Sequence, residues 1–106
     1  MTDCIFCKIA NKEIPTDLIY EDENYVAFND IAPKAKTHIL IIPKKHIERF
    51  DEIESDEDLK IAEWLFTVAH KIIKEKNLHG CRLQINCGKN HGQEVFHLHL
   101  HLLSNS

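Results

Sequence analysis

Hydrophobic and polar positions change period several times along the chain, and each change marks an element. In residues 4–13, Ile5, Phe6 and Ile9 recur at a loosely helical spacing, which predicts a short helix ending before Pro15. Leu18-Ile19-Tyr20 and Tyr25-Val26-Ala27-Phe28 are apolar runs separated by Glu21-Asp22-Glu23-Asn24, a polar turn of hairpin length, so they read as paired strands. A loop over 29–34 leads into residues 37–42, whose β-branched side chains predict a well-buried strand closed by Pro43. Residues 55–77 form the clearest helix. Ser55 can cap its start, Asp56 and Glu57 suit the positive end of the dipole, and Lys71, Lys74 and Lys76 suit the negative end. Leu59, Ala62, Leu65, Phe66, Ala69, Ile72 and Ile73 follow the 3.6-residue period as one apolar stripe. Gly80 is placed to end the helical region, and residues 81–87 and 95–103 read as two more strands around a polar connection. The expected fold is α+β: a five-stranded antiparallel sheet with one long and one short helix, both on one face.

Composition narrows the class. At 106 residues the chain fits one domain, spanning 1–106, and with three Gly and three Pro it is neither disordered nor linker-like. The formal net charge of −4 argues against a nucleic-acid partner bound through a broad basic surface. No run approaches the roughly 20 apolar residues of a membrane span, so no membrane partner is expected. The N-terminal residues lack the charged-then-apolar pattern of a signal peptide, and a cytoplasmic location is expected. In that compartment Cys4, Cys7, Cys81 and Cys87 serve as thiols or metal ligands and not as disulfides. Cys81 and Cys87, about 20 Å apart along one strand, are too distant to chelate together and read as core residues.

Histidine is the unusual residue, with eight copies, three of them alternating in Val95-Phe96-His97-Leu98-His99-Leu100-His101-Leu102-Leu103. On a strand, period two places the histidines on one face and Phe96 with the leucines on the other, toward the core. Adjacent imidazoles then stand about 6.6 Å apart and the outer pair about 13 Å. One ion could take two neighbouring rings but not all three, whereas a substrate lying along the strand could meet each in turn. Imidazole titrates near neutrality, so it can attack phosphorus as a free base and stabilise developing charge as a cation.

The run His97-Leu98-His99-Leu100-His101-Leu102-Leu103 resembles the motif of the histidine triad (HIT) superfamily, and other segments resemble its Hint branch, in order and spacing. These are Ile5-Phe6-Cys7-Lys8-Ile9 with Lys12-Glu13-Ile14-Pro15, Ala27-Phe28-Asn29-Asp30-Ile31-Ala32-Pro33, Thr37-His38, Ile42-Pro43-Lys44-Lys45-His46-Ile47, and Gly92-Gln93-Glu94-Val95. The resemblance covers nearly the whole chain. It implies a homodimer whose two sheets join into one, binding of purine nucleoside monophosphates, and hydrolysis of nucleoside 5′-phosphoramidates of the AMP–amine type. By position, His99 would be the nucleophile and His101 would contact the α-phosphate, with His38 and His97 completing the histidine cluster. Asp30 would hold the ribose hydroxyls. Ile5, Phe6, Phe28 and Ile31 would line the base pocket, while Asn86, Gly92, Gln93 and Glu94 would complete the phosphate site. Glu94 stands where some relatives carry Ser, and His91 where many carry Gly. The likeness thins after Leu103, where Ser104-Asn105-Ser106 replaces the usual glycines, arginine and tail.

Cys4-Ile5-Phe6-Cys7 has the spacing of a thiolate pair that can grip one tetrahedral ion. Resemblance to bacterial HIT proteins and galactose-1-phosphate uridylyltransferases implies His46 and His97 as its partners, giving a structural zinc on Cys4, Cys7, His46 and His97. Such a closed site leaves no open position, so catalysis would require no cofactor. Two other functions stay open at this point. Dinucleoside polyphosphate hydrolysis belongs to branches with glutamine at the third triad position, here His101. A nucleotide- or zinc-binding regulatory module without significant turnover would carry the same residues.

Overall fold

The computed structural model describes residues 4–106. Its elements are α1 (Ile5–Ala10), β1 (Leu18–Glu21), β2 (Tyr25–Asn29), β3 (Thr37–Pro43), α2 (Asp56–Lys76), β4 (Arg82–Gln84) and β5 (Leu100–Ser104). All strand pairs are antiparallel, in the order β1-β2-β3-β5-β4. The five strands and the two helices are those the sequence predicts. Among the described residues no helix is long and apolar enough to cross a membrane.

The helices differ from expectation in where they pack. Tyr25 and Ala27 of β2 and Ile39 and Ile41 of β3 bury against Ala62, Leu65, Val68, Ala69 and Ile72 of α2. Val26, Phe28, Leu40 and Ile42, the alternate residues of the same strands, bury against Phe6, Ile9 and Ala10 of α1. The two helices therefore cover opposite faces. The reason lies in the strands: apolar at nearly every position, they need cover on both sides, and one helix supplies only one.

Helix α2 starts as its sequence predicts, with the Ser55 hydroxyl accepting from the Asp58 amide at 3.1 Å. It ends at Lys76, four residues before Gly80. Asn77 takes the left-handed conformation (φ 55°), and its amide donates to the carbonyls of Ile73 and Lys74. The buried stripe is narrower than expected: Val68 joins it, while Leu59 and Phe66 stand exposed. Strand β4 is a short edge strand with all three residues exposed, because only β5 pairs with it. Cys81 is consequently exposed and Cys87 half-buried, not the core residues expected.

The last strand also begins later than expected, at Leu100. Residues 95–99 leave the ladder, and the Leu98 amide donates instead to the Ile47 carbonyl at 2.6 Å. Leu98, Leu100 and Leu102 still fill the α2-side core. Phe96 does not; without ladder geometry its ring turns outward.

Leu65, fully buried between α2 and the sheet, and Ser55, an exposed cap, give a graded test. Leu65→Ala should cost about 3 kcal/mol and Ser55→Ala about 1 kcal/mol in chemical denaturation. Equal losses would contradict the packing described.

Candidate functional site

The α1-covered face of the sheet carries the histidines. His38 of β3 pairs with Leu103 and Leu40 with His101, so His38 and His101 are diagonal neighbours on one face. Their ring centroids lie 5.2 Å apart, and His99 stands 4.9 Å from His101. Phe6 of α1 meets His99 edge-on, at 5.1 Å and 90°.

Counting protons fixes the state of each ring. A backbone amide can only donate, so the Lys34 N–H, 3.1 Å from His38 Nδ1, makes that nitrogen an acceptor and places the His38 proton on Nε2. His38 Nε2 lies 2.9 Å from His101 Nδ1 and 3.5 Å from Asp30 Oδ2. The N–H donates to His101, whose own proton must then sit on Nε2. That atom is buried and has no hydrogen-bond partner among the described residues. His99 is fixed from the other side. Its Nδ1 lies 2.7 Å from the His97 carbonyl, which can only accept, so Nδ1–H donates and Nε2 keeps a bare lone pair.

Burial holds these rings neutral. It pushes His38 and His99 below the usual imidazole range, and it takes His101 down to about 4, assisted by the neighbouring His99 and His38. A nucleophilic lone pair on His99 and an unsatisfied donor on His101 thus stand side by side at neutral pH. This is the equipment for displacement at phosphorus with the charge on oxygen held by hydrogen bonding.

A second cluster lies where α1 meets the end of β3. His97 Nδ1 is 3.3 Å from Cys4 Sγ, 3.5 Å from Cys7 Sγ and 3.2 Å from His46 Nδ1, and Cys7 Sγ is 3.2 Å from His46 Nδ1. All four donor atoms fall within 4.8 Å of one another. Ligand separations around a tetrahedral zinc run from about 3.3 Å for two nitrogens to about 3.8 Å for two sulfurs. The proton count agrees with this geometry. His97 Nε2–H donates to the Pro43 carbonyl at 2.8 Å, leaving the Nδ1 lone pair facing the cysteines. Burial and the neighbouring Cys4 raise the Cys7 thiol to about 11, a cost that a bound cation removes. Asp30, His38 and His101 also bring ligand atoms close together. There the Lys34 amide occupies the one lone pair of neutral His38, so that group fits a proton relay and not an ion.

The split corrects one expectation. His97 does not stand in a row with His99 and His101; its ring faces the cysteines, because residues 95–99 are not strand. Gln93 differs as well. Its side-chain oxygen accepts from the Gly88 amide, and its NH₂ donates to the Glu48 and Val95 carbonyls, so the buried side chain braces a loop and has nothing left for phosphate. Asn86 is tied at both ends of its amide, accepting from Gln84 and donating to the Gly92 carbonyl. Gly92 adopts φ +91°, which suits only glycine.

Phe6 and Phe28 are buried and pack edge to face at 5.5 Å. Ile5 is half-exposed, and Ile31, fully exposed, lies against no wall. Asp30 accepts from the Ala32 amide through Oδ1, leaving Oδ2 beside His38. Glu94 and His91 are exposed. Two surface grooves of about 560 and 570 Å³, one holding Tyr25, Lys45 and Trp64 and the other Ile9, Pro15 and Leu18, contain no histidine. The groups that sequence reasoning missed are the Lys34 amide and the His97 and Pro43 carbonyls, which carry no side-chain signature.

Residues 3–106 match the family model described as "Scavenger mRNA decapping enzyme C-term binding". The chain is similar to a histidine triad protein of Clostridium difficile, at 47% identity and a TM-score of 0.93, over 100% of this chain and 93% of that one. A HIT family hydrolase from Legionella pneumophila gives 44% identity and a TM-score of 0.91, over 98% and 94% of the two chains. A histidine triad nucleotide-binding protein from Candida albicans gives 33% and 0.82, over 94% and 73%. With these likenesses and the divided histidine array, the chain belongs to the histidine triad (HIT) family.

Proposed function

We propose that the chain is a purine nucleotide-binding hydrolase that cleaves nucleoside 5′-phosphoramidates through a nucleotidyl-histidine intermediate. One observation carries the reading: His99 has its Nδ1 proton committed to a carbonyl and a bare lone pair on Nε2. That nitrogen attacks the α-phosphorus, the P–N bond breaks with its electron pair on nitrogen, and the amine leaves after taking a proton from solvent. Water then cleaves the His99–phosphorus bond and releases the mononucleotide. His101 Nε2–H, the unsatisfied donor, bonds a non-bridging oxygen as charge builds on it, and His38 holds His101 in that tautomer. Asp30 Oδ2 accepts from the ribose. Phe6 and Phe28, with Ile5 at the rim, offer apolar surface to the base.

The further parts of the reading follow the same resemblance. Cys4, Cys7, His46 and His97 hold a structural zinc; when bound it clamps α1 to the sheet, and no catalytic step passes through it. The open edge at β4 and the exposed Trp64, Phe66 and Leu83 support a homodimer that joins the two sheets. A cytoplasmic site of action belongs to the same reading; among the described residues no helix is long and apolar enough to cross a membrane.

Three outcomes test this reading. His99→Ala should reduce turnover of an adenosine phosphoramidate by at least about 1,000-fold while mononucleotide affinity stays within about threefold; near-normal rates would contradict it, and binding without turnover in the unaltered protein would indicate a binding module. Protein purified without chelator should contain about one zinc per chain by metal analysis, and less than about 0.2 would refute the site. Folded His101, at about 4, takes up its proton later than an unfolded histidine near 6.5. Its contribution to stability, on the order of 2 kcal/mol, is therefore complete above pH 6.5 and lost as pH falls toward 4. His97 is held down to about 4 by burial as well, so His101→Gln should make that part of the stability–pH curve less steep without flattening it, and an unchanged slope would show that the ring is not held neutral.

A further inference from the structure

Asp30 lies against the His38–His101 pair, and its geometry links the sugar to the chemistry. Residues 30–34 wrap His38 from two sides. The Asp30 amide donates to the His38 carbonyl at 2.9 Å, and the Lys34 amide donates to His38 Nδ1 at 3.1 Å. The carboxylate is held by its own loop, with Oδ1 accepting from the Ala32 amide at 2.9 Å. Its place therefore does not depend on a bound substrate. Oδ2 faces His38 Nε2 at 3.5 Å, the outer limit of a hydrogen bond.

The His38 N–H thus has two acceptors in reach, His101 Nδ1 at 2.9 Å and the Asp30 carboxylate at 3.5 Å. The nearer one takes it, but the carboxylate carries the charge and is the stronger acceptor. A doubly protonated His38 could satisfy the carboxylate as an ion pair, and the fold closes that route. The second proton would sit on Nδ1, where the Lys34 N–H already points. Burial also opposes it, holding His38 below the usual imidazole range while the Asp30 charge pulls the other way. His38 is left with one proton and two claimants. A hydroxyl donating to Oδ2 would satisfy the carboxylate and weaken its claim, leaving the N–H to His101.

We propose that Asp30 is a positioning residue as well as a ribose ligand: its free carboxylate draws on the His38 N–H, and ribose hydroxyls donating to Oδ2 release that N–H to fix the His101 ring. The sugar is then read in the rate of the chemical step and not only in affinity. The inference rests on the proposed reaction and on Asp30 as the ribose ligand, but the hydrogen bond between the two rings can be measured without turnover.

The test uses the full chain labelled with ¹⁵N-histidine at neutral pH, free and saturated with AMP or with 2′,3′-dideoxy-AMP. AMP should strengthen the bond between the rings, read as a larger through-bond coupling between His38 Nε2 and His101 Nδ1, and dideoxy-AMP should leave it as in the free protein. In single-turnover kinetics, the 2′,3′-dideoxy counterpart of an adenosine phosphoramidate should react about 10-fold more slowly at saturation, beyond any loss of affinity. A sugar contact that served binding alone would leave the saturated rate unchanged. Asp30→Ser keeps an oxygen for the Ala32 amide and removes Oδ2. With the competitor gone, the coupling should be strong without ligand, and the two substrates should react at one saturated rate. Equal saturated rates in the unaltered protein, or a coupling that AMP and dideoxy-AMP change alike, overturns the proposal whether or not the variant folds. A coupling that responds to AMP alone in a protein that turns over no phosphoramidate upholds the link and refutes the proposed reaction instead. Failure to bind either mononucleotide refutes both.

Discussion

A single hydrogen bond, from His99 Nδ1–H to the His97 carbonyl, is the constraint on which the proposed chemistry depends. Neutral imidazole has one proton and one lone pair, and which nitrogen keeps the lone pair decides where the ring can attack. The carbonyl makes that choice at 2.7 Å, and burial keeps the ring from gaining a second proton that would quench it. Every other element of the site supports the same arrangement. The Lys34 amide sets His38, His38 sets His101, and His101 presents its remaining N–H beside the His99 ring.

The sheet makes this possible by being buried on both faces. With α2 covering one side, the leucines at 98, 100 and 102 are spent on the core, and each intervening histidine is turned to the side that α1 covers. The helix α1 is only six residues long and would be marginal alone. Its packing on Val26, Phe28, Leu40 and Ile42, with the thiols at its start drawn to His46 and His97, keeps Phe6 against His99. The short helix thus serves both the site, through Phe6 and Cys7, and the core, through Phe6, Ile9 and Ala10.

Much of this was legible in the sequence, for identifiable reasons. Alternation of leucine with histidine states which side chains face the core, and it holds even where residues 95–99 leave the ladder. The pairing of Cys4 and Cys7 with His46 and His97 was accessible through family resemblance, and the side chains do converge. Other features depend on groups that every residue carries. The turn that separates His97 from its two successors is set by backbone geometry, and the tautomers are set by an amide and two carbonyls. Gln93 matched a phosphate-binding position, yet its side chain satisfies three backbone groups of a loop. The opposite placement of the helices could have been inferred from strands apolar at nearly every position, since such strands demand cover on both sides.

The most direct measurement of the central claim is a single-turnover trap. An adenosine phosphoramidate mixed with a molar excess of the protein, quenched in alkali to preserve any P–N bond and digested, would be examined by mass spectrometry. The account predicts an adenylyl group on the peptide carrying His99, localised to that residue and appearing before free AMP. Release of AMP with no adduct at any time, or an adduct on His101 or His38 in its place, would contradict it.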